Sequence, residues 1–141
     1  WCHKCHSKRI KKFREDNPKK AREISKRYCK NNSHRIWSTQ TLNHHRKKEN
    51  IINITISELN KLAKQTIYCS ICEIPLDWKY GTGLNYNSPT LDRINNKKTL
   101  TLNNIQIVCY RCNATKRSRT MQEFIEYCTK ISNKFNQIQR I

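Results

Sequence analysis

Four cysteines at regular spacing carry the clearest chemistry in this chain of 141 residues. Cys69 and Cys72 form one Cys-x-x-Cys pair, Cys109 and Cys112 another, with 36 residues between the pairs. Two such pairs brought together supply four thiolates to a tetrahedral zinc, and the spacing suits that ion far better than disulfide bonds. A site closed by four cysteines leaves no position open to a substrate, so the expected zinc is structural and its removal is expected to unfold the surrounding body. A third pair, Cys2 and Cys5, resembles half of a zinc knuckle whose remaining ligands are missing. The five histidines, His3, His6, His34, His44 and His45, all fall in the first 45 residues. A histidine that acts on a substrate therefore has to come from the amino-terminal third.

Positioning these groups requires elements, and composition sets the frame. The chain has the length of one domain, or of one with an appendage, and only 35% of its residues are apolar. A metal staple is the expected compensation for a small core. The formal charge is +19, from 29 Lys and Arg against 10 Asp and Glu. Such an excess predicts a nucleic-acid partner. A membrane partner is not expected, because no apolar run approaches 18 residues and there is no lipid-anchor motif. The charge is uneven: residues 1–50 carry 16 basic and 4 acidic residues, residues 51–141 the remaining +7. The division predicted is therefore a basic extension over 1–50 that grips phosphates and a body over 51–141. Within the extension the phosphate contacts fall to Lys11, Lys12, Arg14, Lys19, Lys20, Arg22, Lys26 and Arg27. The Cys-x-x-Cys usage and the absence of a recognisable signal peptide point to a reducing, intracellular compartment. The 17 Ile and 16 Asn match AT-rich codons, such as those of a phage, viral or organelle genome.

Local signals outline the elements. Asn17 and Pro18 open a helix expected over 18–29, whereas 31–53 reads as linker or frayed helix. Thr55 and Glu58 form a capping box before Leu59, Leu62 and Ala63. A strand is expected over 90–94 and a second over the alternating "LTLNNIQIVC", followed by a basic turn or helix. Thr120 and Glu123 cap a last helix whose Met121, Phe124, Ile125, Cys128, Ile131 and Phe135 share one face, expected to be core.

Taken in order, "CSIC", "SPTLDRIN" and "LNNIQIVCYRCNATK" resemble the HNH endonuclease superfamily over about residues 69–116. The resemblance implies an α+β fold, with a ββα-metal core stapled by zinc, behind a basic helical arm. It implies metal-dependent hydrolysis of phosphodiesters, DNA foremost and RNA as the alternative, leaving 5′-phosphate ends. It places Asp92 and Asn113 on a catalytic Mg²⁺ or Mn²⁺ and gives Asn104, or else Asn103, an orienting role through backbone contacts. Where the family carries its histidine base, this chain has Arg93. A guanidinium stays charged and cannot accept a proton, but it can clamp a phosphate and offset charge in the transition state. Some HNH restriction enzymes similar in this respect bring a base or nucleophile from the amino-terminal extension, for which Tyr28, His34, His44 and His45 are the candidates. Arg93, Lys97, Lys98, Arg111, Lys116, Arg117 and Arg119 would face the nucleic acid. The competing reading is a catalytically inactive relative that binds RNA or DNA as a structural subunit of a large ribonucleoprotein, an organellar ribosome for example. A double-strand nuclease would favour a homodimer, and the structural reading a multi-protein RNA complex.

Overall fold

The computed structural model describes residues 2–48, 51–79, 81 and 83–138. Among them are six α-helices and one two-stranded sheet, a small α+β protein. Helix α1 (His3–Asp16) opens on Cys2 as its N-cap and stops at Asn17. Asn17 precedes a proline, which bars helical backbone there, and its φ of −133° and ψ of 60° mark the break. Helix α2 (Pro18–Asn31) restarts with Pro18 in its first turn, where the missing N–H costs nothing. The helix expected over 18–29 is thus present and slightly longer.

Within 31–53, expected as linker or frayed helix, Ser33–Lys47 is a regular helix, α3. Its charged, mixed sequence hides a narrow buried seam, Ser38 and Leu42, one turn apart and both fully covered. Ser38 satisfies its hydroxyl on the His34 carbonyl at 2.8 Å. Trp37 adds a directional anchor, its Nε1 donating to the Pro89 carbonyl at 2.8 Å. Helix α3 packs against α4 (Ile56–Gln65), whose capping box is present as expected, with Thr55 N–H donating to Glu58 Oε2 at 2.8 Å and Glu58 N–H to Thr55 Oγ1 at 3.2 Å. Leu42 belongs to the same core as Leu59, Ala63, Leu91, Leu100, Ile105 and Ile107. That core therefore takes residues from both sides of position 50.

Strands β1 (Pro89–Arg93) and β2 (Ile105–Cys109) pair antiparallel, with Leu91 opposite Ile107 and Asp92 opposite Gln106. Proline is tolerated at Pro89 because it is the first residue of its strand. Helix α5 (Tyr110–Lys116) follows β2 without a loop. The connection between the strands is folded on Asn104, whose Nδ2 donates to the carbonyls of Asn95 and Thr99 at 3.0 Å each, while its Oδ1 accepts from Asn95 N–H at 2.9 Å.

Helix α6 (Met121–Ile138) begins with the predicted cap. Its first turn docks on the body through buried Phe124 and a bond from Met121 N–H to the Ile94 carbonyl. The rest of the expected core stripe is not core. Ile125, Cys128, Ile131 and Phe135 are exposed, because the helix runs past the edge of the body after one or two turns. None of the described helices is long and apolar enough to cross a membrane.

Candidate functional site

The two knuckles meet as their spacing predicts. The sulfurs of Cys69, Cys72, Cys109 and Cys112 all lie within 4.8 Å of one another. Cys72 and Cys109 are 3.8 Å apart, which matches the separation of about 3.8 Å required by a tetrahedron with zinc–sulfur bonds of about 2.3 Å. The first knuckle turns through Glu73, in left-handed backbone at φ 59°, with Glu73 N–H donating to the Cys69 carbonyl. The second is the start of α5, where Cys109 caps the helix and its sulfur accepts from Cys112 N–H at 3.4 Å. Burial pushes the Cys69 thiol up, but the amides of Cys109, Cys72 and Ile71 donate to its sulfur and bring its pKa down to about 7. Burial, reinforced by neighbouring thiols, raises Cys112, and it raises Cys109 as well. Four crowded thiols cannot all ionise unaided, and a divalent cation among them removes that conflict. The donor set and its spacing fit a metal ion such as zinc.

Cys2 and Cys5 also adopt a knuckle-like geometry, Cys5 N–H donating to Cys2 Sγ at 3.3 Å. Among the described residues, however, the Cys69 cluster is the only group of three or more metal-ligating side chains of Cys, His, Asp or Glu gathered at one point.

Beside the four-cysteine cluster, β1, β2 and α5 fix Asp92 and Arg93. Asp92 does not offer the open carboxylate expected of a magnesium ligand. It is 4% exposed, and both its oxygens are engaged. Lys116 Nζ donates to Oδ1 at 3.0 Å, and Gln106 Nε2, from the position opposite in the sheet, donates to Oδ2 at 2.8 Å. Lys116 also donates to the Arg93 carbonyl at 2.8 Å. Asn113 lies one turn before Lys116 on α5 and is half-buried. As arranged, these residues do not fit a divalent ion, whose oxygen ligands must approach to about 2.0–2.1 Å for magnesium.

Lys116 also departs from its expected role on nucleic acid. It is fully buried, its Nζ turned to the Asp92 carboxylate of β1. Arg111 and Arg117 are exposed, as are Lys97, Lys98 and the eight residues of α1 and α2 expected on phosphates, Lys11, Lys12, Arg14, Lys19, Lys20, Arg22, Lys26 and Arg27. Arg111 lies over the Tyr86 ring at 4.6 Å and Arg119 over Tyr127 at 4.5 Å, so both planes are held by aromatic faces. Asn104, rather than Asn103, takes the backbone-ordering position described above.

The four candidates from the amino-terminal third part company. Tyr28 lies on α2, borders the groove lined by Ile10, Phe13 and Ile24, and is exposed. His34 packs on Trp78, ring centres 4.4 Å apart, with Trp37 edge-on to the same indole at 5.3 Å. Burial, then the charge of Lys64, lowers its pKa. His44 is exposed.

His45 is the one whose titration Arg93 affects. Burial is the leading cause that pulls its imidazole below the ordinary value, followed by the positive charges of His44, Arg93 and Lys48. Trp37 ties α3 to the Pro89 carbonyl at the start of β1, and the charge of Arg93, at the far end of that strand, reaches His45 further along the helix. The sequence offered no periodic signal for α3, so this pairing could not be read from it. Gln106 carried a usable signal, a polar residue among Ile105, Ile107 and Val108 that had to find a partner.

No family model matches this chain, and neither a curated protein nor a solved structure matches it.

Proposed function

We propose that the face built by Arg93 and His45 binds a nucleic-acid phosphodiester, DNA foremost, and hydrolyses it, as an endonuclease of the HNH type with a displaced base. What supports this is the lowered pKa of His45, set first by burial, then by the charge of His44 and by that of Arg93. A lowered pKa leaves the imidazole neutral near pH 7, able to take a proton from water. The hydroxide oxygen forms the new bond to phosphorus, the bond to the 3′ oxygen breaks, and solvent protonates that leaving oxygen. Arg93 offsets the charge that grows on the phosphoryl oxygens, a role open to a permanent cation. The exposed cations on α1, α2 and around α5 hold the flanking phosphates and make binding salt-dependent. No step is assigned to a divalent cation at Asp92, whose oxygens are already taken. Zinc on the four cysteines would anchor β2 and α5 and take no part in the chemistry.

A second reading, a nucleic-acid-binding subunit without turnover, is favoured by one observation: the sealed Asp92–Lys116 pair is what a retired metal site would retain. The two are separated by measuring plasmid nicking and salt-dependent binding together for the native chain and Arg93→Ala. Hydrolysis predicts nicking by the native chain and its loss in the variant, with weaker binding. Tight, salt-sensitive binding with no nicking under any added metal establishes the second reading.

A further inference from the structure

The most unusual group in the molecule is the Lys116 ammonium. It is 0% exposed and donates to one carboxylate oxygen and one main-chain carbonyl, Asp92 Oδ1 and Arg93 O, at 3.0 and 2.8 Å. Those two oxygens are hard donors, the kind that coordinate magnesium or manganese. Gln106 holds the remaining carboxylate oxygen, and its Nε2 also lies 3.2 Å from Met121 Sδ, at the start of α6. Lys116 is anchored from behind: Arg117 N–H closes on the Asn113 carbonyl at 2.9 Å, and Arg119 N–H on that of Lys116 at 3.2 Å. Arg117 itself is held at φ 53°. Asn96 Nδ2 secures this turn through the carbonyls of Arg117 and Arg119 at 3.3 and 3.1 Å. The ammonium is therefore fixed by β1, α5 and the turn after it, and solvent does not reach it.

We infer that Lys116 is the resident cation of this site: its ammonium fills the seat that a divalent ion would take between Asp92 and the Arg93 carbonyl, and the native chain binds no divalent ion there. The charge balance supports the assignment. One carboxylate meets one ammonium, and a buried Asp92 has no uncompensated charge with which to draw a dication. Lys116 also fixes the backbone at Arg93, because it holds that residue's main-chain carbonyl. The inference concerns the same face as the proposed hydrolysis and rests on that reading only for the significance of Arg93.

The test uses the full chain with zinc bound and reads ion binding rather than cleavage. Manganese(II) is titrated and free ion followed by electron paramagnetic resonance, for the native chain, Asp92→Asn and Lys116→Ala, with melting temperature recorded with and without manganese. The expected result is no site in the native chain and one site in Lys116→Ala, with a melting temperature raised by manganese in that variant alone. A native site that Asp92→Asn removes overturns the inference, as does a folded Lys116→Ala that gains none. If Lys116→Ala does not fold without metal, its recovery by manganese supports the inference and its failure to recover counts against it. Absence of nuclease activity would sink the hydrolytic reading and leave this ion titration unaffected.

Discussion

Breaking the Asp92–Lys116 pair from one side should be far more damaging than removing it whole. At 3.0 Å and an effective dielectric of about 20, the attraction between the two charges is about 5.5 kcal/mol. Most of that offsets the cost of taking both out of water, so the pair contributes little net stability. Asp92→Leu, however, leaves an ammonium with one carbonyl partner in a site closed to solvent, and Lys116→Met leaves a carboxylate held only by Gln106. Each single substitution should cost about 3–5 kcal/mol, whereas the double variant should lie within about 1 kcal/mol of the native chain. Against a typical domain stability of about 5–15 kcal/mol, either single change is a large fraction of the whole. Urea unfolding of the zinc-saturated proteins, followed by tryptophan fluorescence, gives the three differences and their coupling. Costs below about 1 kcal/mol for the single variants would refute the reasoning. So would a double variant that loses the sum of the two.

Two further outcomes follow from local geometry. Cobalt(II) added to the metal-free chain should give the intense sulfur-to-metal absorption of a four-thiolate tetrahedral site, and Cys112→Ser should weaken it and unfold the body, while Cys128→Ser, on an exposed position of α6, should do neither. Arg117→Gly should stabilise the chain by about 1 kcal/mol in urea unfolding, because φ 53° with ψ −127° is a conformation that only glycine adopts without strain.

How much of this was legible beforehand differs by physical origin. The metal cluster, the capping boxes at Thr55 and Thr120 and the break at Asn17–Pro18 depend on residues a few positions apart, and spacing alone revealed them. The two strands were visible because Leu91, Ile105 and Ile107 alternate toward one core. Helix α3 was not visible, since its attachment rests on Ser38, Leu42 and one indole hydrogen bond to a residue 52 positions away, which no periodicity records. The charge of Arg93 reaches His45 across the same long-range fold, which no local spacing reveals. Asp92 stood out through the resemblance of "SPTLDRIN" to the HNH pattern, but the ammonium that neutralises it comes from a lysine that composition assigns to the surface. The α6 stripe misled in the opposite direction: an apolar face shows that a helix can be buried, not how far the body extends to cover it.

The central claim is that His45 is the base beside Arg93, and the pH dependence of plasmid nicking by the zinc-loaded chain tests it most directly. His45 has a lowered pKa, so the neutral, active form should persist to pH values below the ordinary imidazole range, and the rate should fall only as pH drops through that lowered value. His45→Gln should reduce the rate by about 100-fold or more and remove this limb of the profile, with binding to the plasmid unchanged. A variant that nicks at the native rate with the same pH profile would contradict the assignment.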